Sequence, residues 1–305
     1  MAKKKILVTG AAGMLGSDLV PTLRSQGYAP LATDIVTKPG IRLLDVRDSS
    51  AVRKTVSRFK PNWILHLAAE TNLEKCESDP SHAYSTNVIG TENVAVACQE
   101  YEIPMVYIST AGVFDGLKVN SDGSPEPYTE FDNPNPINVY GMSKYQGEKV
   151  VTQQLRRYFI IRAGWMIGGL ERDKKFVAKI LAQLREKATK IYAVNDKFGT
   201  PTYTLDFAKV IVSLINSPFY GLYHGACTGW GTRYDVAKEI MKVLGRTDVT
   251  LLPVSSDFFK EEYPAPRPAS EIMRNYRLEL RGMNIMPTWQ EALRHYLARW
   301  GLLAK

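Results

Sequence analysis

The chain has 305 residues, 45% hydrophobic and 23% charged, which is ordinary globular composition and enough length for one large domain or two modest ones. Disorder, collagen-like repeats and disulfide-stapled miniature folds are excluded at once. Thirty-nine Lys and Arg against 31 Asp and Glu leave a net +8, but the basic residues are scattered, with no run beyond Lys3-Lys4-Lys5, so an anionic small ligand is favoured over nucleic acid.

In chain order, Lys5–Thr9 reads as a strand and 15–26 as a helix with Leu15, Leu19, Val20 and Leu23 on one face. Ala29–Asp34 is a second strand and 51–59 a second helix. The apolar run at 63–68 predicts a buried strand, and 83–100 a long helix. A strand at 105–109, a helix at 139–158 and a strand at 159–162 follow. Strand and helix alternating at this pace mean βαβ units, an α/β fold with a doubly wound parallel sheet of the Rossmann type.

The stretch 115–136 is rich in Pro, Gly, Asn and Asp and reads as loop. Beyond it, 176–187 looks helical, 191–194 strand-like, 206–215 helical, and 234–244 and 289–300 helical, with a proline-bearing loop at 253–268. The expected division is a dinucleotide-binding domain of 1–164 plus about 189–228, and a smaller α/β substrate lobe of about 165–188 plus 229–305.

Cys76, Cys98 and Cys227 are odd in number, widely spaced and without a C-x-x-C pair, which suits a reducing compartment. No apolar run approaches the roughly 18 residues of a membrane span. Residues 6–10 are too short for a signal h-region. The expected location is the cytoplasm, with no membrane partner.

The first strand runs into Gly10-Ala11-Ala12-Gly13-Met14-Leu15-Gly16 and then a helix. Glycines at such a turn let backbone amides approach a pyrophosphate seated on the positive end of the helix. Asp34 ends the second strand, about 20 residues on, where a carboxylate accepts the adenosine ribose hydroxyls and repels a 2′-phosphate. Lys38 and Arg42 soften that repulsion, so NAD is the preferred cofactor and NADP is left open. Asp45-Val46, after the next short strand, is a candidate contact to the adenine.

Tyr140 and Lys144 are spaced i, i+4 at the start of a helix, which stacks them on one face. An ammonium near a phenol favours phenolate and makes the tyrosine a usable proton donor or acceptor. Ser109-Thr110 ends a strand about 30 residues upstream, at the carboxyl edge where open α/β sheets bind ligands.

The glycine pattern, Ser109-Thr110 and Tyr140-x-x-x-Lys144 together resemble the extended short-chain dehydrogenase/reductases, and within them the dTDP-4-dehydrorhamnose reductase family. Further matching segments are Ala68-Ala69-Glu70-Thr71, Glu74-Lys75-Cys76-Glu77, Asn87-x-x-Gly90-Thr91, Val113-Phe114-Asp115-Gly116, Arg162-x-x-Trp165, Phe198-Gly199-Thr200-Pro201-Thr202, Arg267-Pro268-Ala269-Ser270 and Trp289-x-x-Ala292-Leu293. The likeness covers nearly the whole chain.

The resemblance implies NAD(P)H-dependent reduction of a 4-keto group on a nucleotide-linked sugar, in dTDP-rhamnose biosynthesis. Tyr140 would protonate the carbonyl oxygen, Lys144 would depress the tyrosine and hold the nicotinamide ribose, and Thr110 would hydrogen-bond the substrate oxygen. Gly13, Met14 and Leu15 would meet the pyrophosphate, and Ala68, Ala69 and Thr71 would line the cofactor cleft. Ala111, Trp165 and Arg267 would meet the substrate, Trp165 at the sugar and Arg267 at its phosphates. On spacing alone, a core tryptophan and a solvated arginine remain equally open.

Two departures fall in substrate-side loops. Ala111-Gly112 stands where the family has Asp-Tyr, and Lys197 where it has Gln. The Ser109-x-Ala111-x-Val113 pattern is closer to nucleotide-sugar epimerases on the same fold, which are the main alternative. A non-catalytic NAD(P)-binding regulatory subunit is the other. His66, His82, His224 and His295 show no ligand spacing, so no metal is expected, and His66 reads as a core residue. A homodimer is allowed, with no residue assigned to it.

Overall fold

A computed structural model describes residues 3–302; the Met1-Ala2 start and the last three residues of the expected second lobe lie outside the described residues. The first half alternates β1 (Lys5–Thr9), α1 (Met14–Ser25), β2 (Ala29–Asp34), β3 (Arg42–Leu43), α2 (Ser49–Phe59) and β4 (Trp63–His66). Then come α3 (Leu73–Ser78), α4 (Pro80–Tyr84), α5 (Gly90–Glu100), β5 (Met105–Thr110), α6 (Val139–Gln154) and β6 (Tyr158–Ala163).

The second half contains β7 (Trp165–Ile167), α7 (Phe176–Arg185), β8 (Lys190–Val194), β9 (Phe198–Gly199), β10 (Pro201–Tyr203), α8 (Thr204–Ile215) and β11 (Gly221–His224). It closes with β12 (Gly231–Thr232), α9 (Arg233–Val243), β13 (Thr250–Val254), β14 (Ser270–Glu271), α10 (Tyr276–Leu280) and α11 (Trp289–Arg299).

Seven strands form one sheet in the order β11-β6-β5-β4-β1-β2-β3, every neighbouring pair parallel. This is the doubly wound Rossmann-like arrangement read from the sequence. The strand order reverses between β1 and β4, and the crevice outside the carboxyl ends of strands at such a switch point is where α/β folds bind ligands. Alternation along β1 decides the two core layers. Ile6 and Val8 pack with Leu19, Leu65, Phe159 and Phe207 on one face, while Leu7 packs with Ile64, Val94, Met105 and Val151 on the other. Both layers are fully covered, which is why these strands read as continuous apolar runs.

Outside that sheet, β8 pairs with β13, β7 with β10, and β9 sits between β12 and β14. The pairing of β9 with β14 aligns Glu271 with Gly199 and brings the chain from beyond residue 260 to the site.

Three boundaries differ from expectation. The helix at 139–158 stops at Gln154, because Tyr158-Phe159-Ile160-Ile161 pair with β5 in the sheet. The helix expected at 83–100 starts at Pro80, capped by Asp79, and carries a π-helical turn over Ser85–Ile89. The expected loop at 253–268 gives its first two residues to β13, while 115–136 holds only an isolated bridge of its own, Val119 with Pro125, and one between Tyr128 and Met273. The helix α3, capped by Asn72, is too short to show periodicity and was not anticipated. The three cysteines are buried and free, and among the described residues no helix is long and apolar enough to cross a membrane.

Candidate active site

The glycine loop is shaped by close approach. Gly10 has φ +67°, and a Cβ there would lie 2.5 Å from the Ala68 backbone nitrogen, so only glycine fits where the ends of β1 and β4 meet. Gly13 is the N-cap of α1 and no side chain caps that helix, which leaves the first-turn amides free for an anion. Gly16 packs against the Ala11 backbone, where a Cβ would meet Ala11 O at 2.4 Å. Leu15 is buried in the core, so only its backbone faces the loop, and Met14 lies against Gly169.

Asp34 ties this loop to the end of β2. Its Oδ2 accepts from the Ala12 amide at 2.9 Å and its Oδ1 from Val36 at 3.2 Å. Asp45 is bound by Arg47 through Nε at 3.0 Å and Nη2 at 2.6 Å, which holds its carboxyl below the usual range. Val46 is buried in the core, with its carbonyl taken by Asn93 at 2.9 Å. The Val46 side chain therefore packs inward and does not border an open cleft.

Ala68, Ala69 and Thr71 follow β4 directly. Their loop is pinned by Glu70, whose carboxylate accepts from the Thr71 and Asn72 amides at 3.0 Å and pairs with Lys75 at 2.8 Å. Asn87, fully buried on the π-helical turn, accepts from the Glu70 amide at 2.8 Å and donates to Ser143 Oγ at 2.9 Å. That irregular turn joins the loop after β4 to α6, and π-bulges recur at such functional places.

Thr110 ends β5, and its hydroxyl accepts from the Gly112 amide at 3.1 Å. Asn138 caps α6 by accepting from Gly141 at 2.7 Å. A Cβ on Gly141 would lie 2.1 Å from the Gly112 carbonyl, so α6 begins hard against the loop after β5. This contact sets Tyr140, in the first turn of α6, beside the end of β5 that carries Thr110. Burial pushes the phenol up to about 12, against the lowering effect of Thr110.

Lys144 lies one turn on and is buried, its Nζ 4.0 Å from the centre of the Tyr107 ring. Burial pulls the ammonium down to about 7, opposed by the Glu148 carboxylate. The Tyr140 phenol lies above its ordinary value, and not below it as expected, because burial dominates. Both groups are driven toward their neutral forms because desolvation exceeds every charge interaction at the site.

Trp165 donates from Nε1 to Glu271 Oε2 at 2.7 Å. Its ring lies against Gly199, where a Cβ would sit 2.2 Å from it, and beneath the Arg233 guanidinium at 3.8 Å. Ala111 is buried with Val113, Phe114, Tyr128 and Met273, so its methyl fills the core and does not line the cleft. Arg267 is already engaged, donating to Glu74 at 2.5 Å and to the Tyr263 and Ala265 carbonyls at 3.1 and 2.8 Å. It ties the loop before β14 to α3 and does not join the Thr110–Tyr140 group. His66 is the core residue expected, with Nδ1 2.8 Å from Thr9 Oγ1, Nε2 3.1 Å from Thr91 Oγ1, and burial driving it down to about 3.

The comparisons agree with this architecture. The family description "RmlD substrate binding domain" matches residues 4–301. The chain belongs to this family. It is 37% identical over 254 residues to a dTDP-4-keto-6-deoxy-D-glucose reductase of Streptomyces niveus, covering 82% of each chain. It is 33% identical to the spore coat polysaccharide biosynthesis protein SpsK of Bacillus subtilis over 96% of both. The crystal structure of dTDP-4-dehydrorhamnose reductase from Bacillus anthracis in complex with NADP is similar at 36% identity and TM-score 0.89, covering 98% of this chain and 100% of that one. The RmlD family lies within the extended short-chain dehydrogenase/reductases.

Sequence reasoning missed Tyr107, Arg233 and Glu271 as site residues, and quoted Asn87 without assigning it a task. Tyr107 hides in an apolar strand. Arg233 and Glu271 sit in no motif, and only tertiary pairing through β9, β12 and β14 brings them to Trp165. The residues present fit a dinucleotide: an uncapped helix start, a loop only glycine permits, and a carboxylate at the end of β2. Among the described residues no group of His, Cys, Asp and Glu is arranged to hold a metal ion.

Proposed function

We propose that the protein reduces the 4-keto group of a nucleotide-linked sugar, of the dTDP-4-dehydrorhamnose reductase kind, with Tyr140 as general acid. The chain is an NAD(P)-dependent oxidoreductase of the extended short-chain dehydrogenase/reductase type. The observation that carries the finer reading is the convergence of Thr110, Tyr140 and Lys144 at the carboxyl edge of the sheet, next to the glycine loop.

A reduced nicotinamide, when bound, supplies the hydride. Gly10, Gly13, Met14, Leu15 and Gly16 would hold its pyrophosphate through backbone amides, and Asp34 its adenosine ribose. Ala68, Ala69 and Thr71 would wall the cofactor side of the cleft. Asp34 favours NAD, since a 2′-phosphate would meet a carboxylate already fixed by two amides.

Thr110 donates to the substrate carbonyl oxygen while Tyr140 passes its phenolic proton to it. A phenol pushed up to about 12 is fully protonated near neutrality, the form an acid needs. As negative charge develops on Tyr140, Lys144 four residues along the helix gains reason to be charged, and stabilises it. Trp165 would wall the sugar. Arg267 would reach a phosphate only by leaving Glu74. We also take 1–164 with about 189–228 as the cofactor-binding part and the remainder as the substrate part.

The test is absorbance at 340 nm with NADH or NADPH and dTDP-linked 4-keto-6-deoxy sugars. Stoichiometric loss of the reduced cofactor supports the reading. Interconversion of sugars with no net loss, and cofactor retained on the protein, would replace it with epimerase chemistry.

A further inference from the structure

We infer that Glu271 selects the substrate by accepting a hydrogen bond from a hydroxyl on the sugar carbon next to the ketone. This rests on the keto-sugar reductase reading and adds to it a residue that no motif contains.

Glu271 is placed by backbone pairing, opposite Gly199 in the β9–β14 register. One carboxylate oxygen, Oε2, is committed to the Trp165 indole at 2.7 Å, and Trp165 is itself held between Gly199 and Arg233. The other oxygen, Oε1, accepts no hydrogen bond from any described residue and points at Gly112. A Cβ built on Gly112 would lie 3.6 Å from Glu271 Oε1 and 3.4 Å from Thr110 Oγ1. The two oxygens therefore border the same small space, in front of the hydroxyl that meets the substrate ketone.

Gly112 has no positive φ, so glycine at this place serves room and not backbone conformation. With Ala111 turned into the core, residues 111–114 directly after β5 carry no polar side chain. Glu271 supplies one from the far end of the chain. A sugar whose carbonyl oxygen sits on Thr110 presents its neighbouring C3 substituent toward Oε1. C5 carries the ring oxygen and a carbon branch, so C3 is the position that can donate. Burial raises the Glu271 carboxyl above the usual range, opposed by the Trp165 hydrogen bond and by Arg233, Arg267 and Lys197; an oxygen desolvated in this way and aligned by an indole rejects a substrate lacking that donor because it goes unpaired.

The experiment compares kcat/KM for a dTDP-linked 4-keto sugar bearing the C3 hydroxyl with its 3-deoxy counterpart. In the wild type, losing the hydroxyl should cost about 10-fold or more. Glu271→Gln keeps an oxygen for Trp165 and turns an amide nitrogen toward the substrate. It should cut the penalty to about 3-fold or less while leaving the cofactor Kd unchanged. Gly112→Ala meets only ordinary contacts, folds as the wild type does, and should shrink the same penalty by filling the space. Equal turnover of both sugars by the wild type, or an undiminished penalty in both variants, overturns the inference and leaves the reductase reading standing. Turnover of neither sugar removes both.

Discussion

The Lys144 ammonium rests 4.0 Å from the centre of the Tyr107 ring, and the Tyr107 hydroxyl donates to the Lys144 carbonyl at 3.1 Å. One strand residue thus fixes both ends of the lysine, and it does so in a fully buried place. Burial lowers Lys144 from 10.5 to about 7. Between those values the unfolded chain binds a proton that the folded one does not, so stability rises with pH across this window, and the full cost is present below about 7.

Lys144→Met should therefore abolish turnover yet stabilise the fold near pH 7, by on the order of 1 kcal/mol once the lost cation–π contact is deducted. The gain should shrink toward pH 10. Urea unfolding at both pH values checks this, and a Met variant less stable at pH 7 would refute it.

Tyr140→Phe removes the proton but leaves the ring. Turnover should fall by about 100-fold or more, the usual size of a lost general acid, with cofactor affinity changed by less than about 3-fold. Because burial holds the phenol at about 12, the wild-type reduction should show no alkaline loss from this group up to about pH 10. Steady-state rates at 340 nm and a fluorescence titration of the cofactor separate the two effects. Equal turnover in the variant would sink the role of Tyr140.

Legibility followed the range of the interactions. Strands β1, β2, β4, β5 and β6 and helices α1, α2, α5 and α6 were readable because each buries its own apolar side chains, and periodicity records that. Thr110, Tyr140 and Lys144 were readable because strand end and helix start lie 30 residues apart with local signals of their own. Glu271 was not, since its position depends on β14 pairing with β9 across more than 70 residues. The occupied state of Arg267 was equally hidden, because its partner Glu74 belongs to a helix too short to announce itself. The π-helical turn that aims Asn87 leaves no mark in a pattern of apolar spacing.

On the proposed reading, cofactor choice turns on Asp34, whose two oxygens already accept from Ala12 and Val36. Asp34→Ser keeps a hydroxyl acceptor and removes the charge facing a 2′-phosphate. The wild type should bind NADH at least about 10-fold more tightly than NADPH, and the variant should lose or reverse that preference. Lys38 and Arg42 are then free to meet the extra phosphate. Paired Kd measurements decide it; a wild type that already prefers NADPH would show that those two cations outweigh the carboxylate.

Glu148 stands on α6 one turn beyond Lys144 and forks onto Arg162 of β6, with contacts of 2.8 and 2.7 Å. Both side chains are almost fully buried, and the guanidinium lies 5.1 Å from the centre of the Phe114 ring. The pair therefore anchors the helix that carries Tyr140 to the sheet. Breaking it from one side leaves a charge without a partner in a dry place, so Glu148→Gln should cost about 3–5 kcal/mol. Replacing both, as Glu148→Leu with Arg162→Met, should cost much less than the sum of the single changes, because neither charge is then stranded. Glu148→Gln should also lower Lys144 further, since Glu148 is the one charge that raises it. A double-mutant cycle by urea unfolding measures the coupling. Additivity within about 0.5 kcal/mol would show that the helix is held by packing and not by this pair.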